Sequence, residues 1–146
     1  MTNQQQEWLD FAKSVAREAG DIMQKYFGKK PDAHLKADST IVTVADEEIN
    51  QLVIKRVAER YPAHDIDGEE ASARRGSDYV WVCDPIDGTA PFAMDLPVSV
   101  FSLALVIDGR PEIGVIYAPF SNHLYWAVRG QGAYLNNRYS DRKSVV

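Results

Sequence analysis

The chain has 146 residues, 45% of them hydrophobic, which suits one domain with a real core. Its formal charge is −5 and it carries no basic tract or Lys/Arg stripe, so nucleic acid is not an expected partner. A single cysteine excludes an internal disulfide and fits a reducing compartment. With no apolar run of about 18 residues and no signal-type core in polar residues 1–7, a cytoplasmic protein without a membrane partner is expected.

Residues 4–27 read as a helix. Trp8, Phe11, Ala12, Val15, Ala19, Ile22, Met23 and Tyr26 recur at three- and four-residue steps, and Glu7, Asp10, Lys13, Arg17 and Lys25 take the other face. Gly28 is a natural stop. Residues 29–39 are polar and predict an irregular loop. Thr43 with Asp46 three residues on has capping-box spacing, and the acidic run Asp46-Glu47-Glu48 suits a helix N-terminus. Ile49, Leu52, Val53, Val57 and Tyr61 carry that second helix to about Arg60, and Pro62 ends it. Residues 63–67 are an extended lead into Gly68-Glu69-Glu70. Residues 71–78 predict a flexible surface loop with Arg74 and Arg75 solvated.

The next stretch is the chemically dense one. An apolar strand, Tyr79-Val80-Trp81-Val82-Cys83, turns abruptly into Asp84-Pro85-Ile86-Asp87-Gly88-Thr89. Pro85 cannot donate to a sheet ladder, and Gly88 permits a tight reversal that brings bare amides near a ligand. A Cys-based phosphatase loop needs an Arg a few residues past the thiol, and none follows Cys83. An aspartyl-phosphate enzyme needs Asp-x-Asp, whereas the pair here is Asp84-x-x-Asp87. Counted as an EF-hand from Asp84, loop positions 3 and 5 fall on Ile86 and Gly88, which fails. A two-carboxylate site for a hard cation, beside a phosphate-sized nest of amides, remains. As structure alone, the same run is a strand followed by an Asp-Gly turn.

Beyond it, residues 98–107 are apolar nearly throughout and predict a strand covered on both faces. Asp108-Gly109 is a hairpin turn, and residues 112–118 and 124–128 are the returning strands of an antiparallel meander. Gly130 and Gly132 are turn glycines, since no helix start follows them. His34, His64 and His123 lack ligand spacing, and Cys83 reads as a buried strand residue.

Trp81-x-x-Asp84-Pro85-Ile86-Asp87-Gly88-Thr89, preceded by Gly68-Glu69-Glu70, resembles the first signature of the inositol monophosphatase family, and the resemblance runs to about Asn136. That family contains Mg²⁺-dependent, lithium-sensitive phosphomonoesterases. The resemblance implies an α+β fold: two N-terminal helices on a mainly antiparallel sheet, the first half of a layered α/β/α/β/α sugar-phosphatase. It implies two or three Mg²⁺ ions, a small phosphorylated substrate and a homodimer. Carried over residue by residue, Glu69, Asp84, the Ile86 carbonyl and Asp87 are metal ligands. Asp46 and Thr89 form the pair that orients the attacking water, and Glu70 lies near that water or a third ion. Asp87, Gly88 and Thr89 receive the phosphate, and Lys36 takes the place of a loop lysine near the metals.

Two departures stand out. The family usually has Asn before the Phe that follows Asp-Gly-Thr, where this chain has Ala90-Pro91-Phe92. Members also run considerably longer, and their second half supplies a Trp-Asp-x-Ala motif that is absent here. The expected organisation is therefore a metal-binding domain over residues 1–137, a tail over 138–146, and no substrate-binding half. The sheet would then lose its covering layer. The alternative to a phosphatase is a truncated, catalytically silent domain that binds metal or another protein through that bare face.

Overall fold

The structure, a computed structural model, describes residues 1–29, 33–35 and 41–139. Helix α1 (Asn3–Tyr26) is opened by Thr2, whose hydroxyl accepts from the Gln5 amide while the Gln5 side chain accepts from the Thr2 amide. This reciprocal cap satisfies two donors that a helix start otherwise leaves unpaired. Its inward stripe is Leu9, Ala12, Val15, Ala16, Ala19 and Met23, all buried; Trp8, Phe11, Ile22 and Tyr26 pack at the margin. The helix lies unusually close to the sheet at Gly20, where an added Cβ would sit 2.4 Å from the Tyr117 ring.

Strand β1 (Ala33–Leu35) pairs antiparallel with β2 (Ile41–Thr43), so the region expected to be wholly irregular contains a short ribbon. The β-branched run Ile41-Val42-Thr43 provides the partner that makes it one. Lys36 lies outside the described residues. Helix α2 (Val44–Arg60) starts at Thr43 with the expected capping box to Asp46. Its buried face is Ala45, Asp46, Ile49, Asn50, Val53 and Val57, so two polar side chains are turned inward with the apolar ones.

The main sheet has the order β3-β4-β5-β6-β7-β8-β9. Strand β3 (Asp65–Gly68) is parallel to β4 (Tyr79–Asp87). Every later pair, through β5 (Val100–Ile107), β6 (Arg110–Ala118), β7 (His123–Val128), β8 (Gly132–Leu135) and β9 (Arg138–Tyr139), is antiparallel. The Asp108-Gly109 hairpin has both residues at positive φ, 49° and 72°, the conformation a two-residue turn needs to match strand twist.

One face of this sheet carries Trp81, Cys83, Phe101, Leu103, Leu105, Ile113, Val115, Leu124 and Val128 into the core with α1 and α2. Full burial of a side chain such as Trp81 or Phe101 contributes about 1.5–3 kcal/mol. The opposite face differs from the cover that the apolar run alone implied, and is bare in the way expected of a sheet without its second half. Only alternate residues of β5 are buried, and Val82, Ile116 and Tyr125 on the reverse side are 41%, 44% and 42% exposed. The apolar run predicted cover on both sides, but among the described residues both long helices pack on one. The bare side holds an open concavity of about 470 Å³ lined by Val82, Ala104, Gly114, Ile116, Tyr125 and Ala127.

The loop between β3 and β4 is also more ordered than expected. The Asp65 carboxylate accepts from the amides of Arg75, Gly76 and Ser77 at 2.8–2.9 Å, Arg74 pairs with Asp67, and the Arg75 guanidinium donates to the Pro62 carbonyl. Among the described residues no helix is long and apolar enough to cross a membrane.

Candidate active site

The site is built at the far end of β4. In a regular strand, residues three apart point to opposite faces. Asp84 pairs with Ser102 and Asp87 with Val100, so three steps on β4 are matched by two on β5. The extra residue is a bulge, and it returns Asp87 to the side of Asp84. Pro85, which lacks a ladder donor, sits inside it.

At Gly88 the chain reverses in the left-handed region, φ 95° and ψ 46°, and helix α3 (Thr89–Ala93) begins. The Ser99 hydroxyl, itself buried, donates to the Gly88 carbonyl at 2.7 Å. Phe92, fully buried, anchors α3 from below.

Helix α2 supplies the second wall. Asp46 is completely buried. Its Oδ2 accepts from the Thr43 amide at 2.8 Å and the Thr43 hydroxyl at 2.5 Å, and its Oδ1 accepts from the Thr89 hydroxyl at 3.0 Å. Burial pushes the Asp46 carboxyl above the usual carboxylate range, opposed by these hydrogen bonds. The Thr89 oxygen is also 3.0 Å from the Ile86 carbonyl. A hydroxyl has one proton, so Thr89 divides it between Asp46 and Ile86.

Glu69 comes from the β3 end. Its amide donates to the Cys83 carbonyl at 3.0 Å, which extends the parallel pairing by one residue. Its carboxyl meets that of Asp84. Burial, then the hydrogen bond and negative charge of Glu69, then the charges of Asp87 and Asp46 raise Asp84 to about 7. The Asp84 Oδ1 is buried with no hydrogen-bond partner. Two carboxyls pressed together, with a buried carboxyl oxygen left without a hydrogen-bond partner, fit a cation. The donor set is all oxygen, which suits a hard ion. Among the described residues no three His, Cys, Asp or Glu side chains stand already gathered at ligand geometry. Glu69 and Asp84 are in contact, while Asp87 is exposed and acts on Asp84 only through its charge.

Glu70 follows on a half-buried position of the same turn, its amide 3.4 Å from the Asn50 Oδ1. Asn50 and Ser99, which hold the turns carrying Glu69 and Gly88, were not singled out in the sequence. The only signal for Asn50 was its four-residue step from Asp46 on an otherwise apolar helix face. His64 is not near this constellation. It stacks between Tyr61 and Tyr79, accepts from the Trp81 indole at 3.2 Å, and burial lowers its pKa. Burial also raises the Cys83 thiol, which is inert as a nucleophile.

A mainly antiparallel sheet with two helices on one face, and a carboxylate cluster where a bulged strand meets a left-handed turn, defines a half-layer of the sugar-phosphatase type. The model of the inositol monophosphatase family matches residues 4–145, and the chain belongs to that family. It is 39% identical over 133 residues to Nus factor SuhB of Pasteurella multocida, covering 88% of this chain and 50% of that protein. It is 32% identical over 135 residues to the fructose-1,6-bisphosphatase/inositol-1-monophosphatase of Aquifex aeolicus, covering 90% and 51%. The solved IMPase of Thermotoga maritima superposes with a TM-score of 0.86 at 31% identity, over 93% of this chain and 55% of that one. The chain thus spans about half the length of the relatives it matches.

Proposed function

We propose that this chain is the metal-binding half of a Mg²⁺-dependent phosphomonoesterase acting on a small polyol or sugar phosphate. The observation that carries the reading is the Glu69–Asp84 contact with the orphaned Asp84 Oδ1. Glu69, Asp84 and the Ile86 carbonyl would hold one Mg²⁺, and Asp84 with Asp87 a second. Such ions acidify a bound water and offset charge on the leaving oxygen. The remaining work falls to the chain. Asp46 orients the Thr89 hydroxyl by accepting its proton. Were the Ile86 carbonyl to hold a cation, the Thr89 hydroxyl would be left to donate to Asp46 alone, freeing its oxygen to accept a hydrogen bond from a water. Glu70 borders that water. The amides of Gly88 and Thr89, beside Asp87, receive the phosphate.

Inhibition by lithium, a homodimer and a cytoplasmic location belong to the same proposal. The domain is taken as residues 1–137 together with β9 (Arg138–Tyr139), which pairs with β8, and the carboxylate that completes the second ion site is supplied by a C-terminal half.

The test is Mg²⁺-dependent release of phosphate from inositol 1-phosphate and from an aryl phosphate. It is run on the chain alone and on the chain mixed with the C-terminal half of a full-length relative. Activity is expected in the mixture and is lost in Asp84→Asn; unchanged turnover in that variant overturns the reading.

A second reading has its own support, namely the bare apolar sheet face and the relatives named Nus factor SuhB. It makes the chain a catalytically silent interaction domain. Metal binding without hydrolysis in either preparation favours it.

A further inference from the structure

We infer that Asn50 is the positioning residue that sets the Glu69 carboxyl against Asp84, an assignment that rests on the metal site proposed above. Asn50 lies one helical turn after Asp46 on the inward face of α2 and is 1% exposed. Its amide engages the backbone of the following turn in two places. The Nδ2 donates to the Ala71 carbonyl at 3.0 Å, and the Oδ1 accepts from the Glu70 amide at 3.4 Å. A primary amide presents a donor and an acceptor side by side, so it grips an N–H and a C=O as a neighbouring strand would.

The fit is close enough to dictate a second residue. A Cβ on Gly68 would stand 2.3 Å from the Asn50 Oδ1 and 2.4 Å from the Ala71 carbonyl oxygen. Gly68 is not at positive φ; it is glycine for want of room. Glu69 is therefore clamped on both sides. Its own amide is held by the Cys83 carbonyl on β4, and the next amide by Asn50 on α2. With the backbone held on both sides of the residue, the side chain starts from a set position beside Asp84, which lowers the ordering cost at binding. One face of one helix thus serves both halves of the site: Asp46 orients Thr89, and Asn50 orients Glu69.

The test uses the whole chain with Mn²⁺ as probe, amide hydrogen exchange as a metal-free readout, and Asn50→Ala. Exchange at Glu69 and Glu70 should accelerate about tenfold or more while the core amides of α2 are unchanged, and the Mn²⁺ dissociation constant should rise about tenfold, as for other groups that orient metal ligands. A purely structural Asn50 would lower melting temperature without moving the Mn²⁺ constant.

Asn50→Asp guards against a variant that fails to fold. When ionised, its new oxygen opposes the Ala71 carbonyl and Glu70 exchange rises. When protonated, the acid again offers donor and acceptor, and protection returns. Unaltered Glu70 exchange in both variants overturns the assignment. So does faster exchange with a Mn²⁺ constant within twofold of the parent. If the parent chain binds no Mn²⁺, the metal site itself fails, and the exchange measurements still decide whether Asn50 holds the turn.

Discussion

Cation binding by this chain should depend steeply on pH, because the Asp84 carboxyl, pressed against Glu69, holds a proton that a metal ion must displace. Asp84 is raised from 3.8 to about 7. At pH 8 Asp84 is ionised and ready. At pH 5 the proton sits about two pH units below its dissociation point, so removing it costs about 2.7 kcal/mol, an affinity loss of about 100-fold. Asp84 is only partly buried, and solvent screening reduces this to between about 10- and 100-fold. The assay is calorimetric titration with Mn²⁺ at pH 8, 7, 6 and 5, in two buffers of different ionisation enthalpy. The affinity should be flat above about pH 7 and fall below it, with about one proton released per ion in the acid limb. A dissociation constant constant from pH 8 to 5, with no proton release, would refute the proton-displacement account.

Asp84→Asn should abolish cation binding yet stabilise the metal-free chain at pH 8. A carboxyl raised in the folded state contributes stability that is complete below its ordinary range and lost as pH rises through about 7. The full displacement corresponds to about 4 kcal/mol, and screening at a half-buried site reduces it to about 2. Urea unfolding at pH 8 and pH 5 should show the gain mainly at pH 8. Thr89→Val should cut phosphate release by at least about 100-fold, as expected for loss of a group acting on the attacking water, while Thr89→Ser retains most of it. Steady-state rates of the two variants, measured with the C-terminal half supplied, check this. Gly20→Ala should destabilise by about 1–3 kcal/mol, because the new methyl meets the Tyr117 ring at 2.4 Å; the shift of the urea midpoint measures it.

Much of the architecture was written in local patterns. The three- and four-residue apolar step gave α1, and Thr43 with Asp46 marked the start of α2, because helix periodicity and end-capping are satisfied within a few residues. The Asp108-Gly109 turn and the strands around it were legible for the same reason. The acidic residues of the site were recognisable because few chemistries use Asp84-x-x-Asp87-Gly88-Thr89 after a strand.

Contacts between distant segments were not legible. Nothing local shows that an extra residue on β4 returns Asp87 to the side of Asp84, since the bulge exists only in the pairing with β5. The burial of alternate β5 residues on a single face depends on where the helices pack, whereas composition alone suggested two covered faces. Asn50 looked like any helix polar residue until Gly68 and Ala71 were brought against it from 18 and 21 positions away. Sequence by itself thus determined the two long helices, the strands of the meander and which oxygens are available. Tertiary structure alone decided that Glu69 meets Asp84 at a half-buried position, and that enforced proximity of like charges is what turns ordinary carboxylates into a seat for a cation.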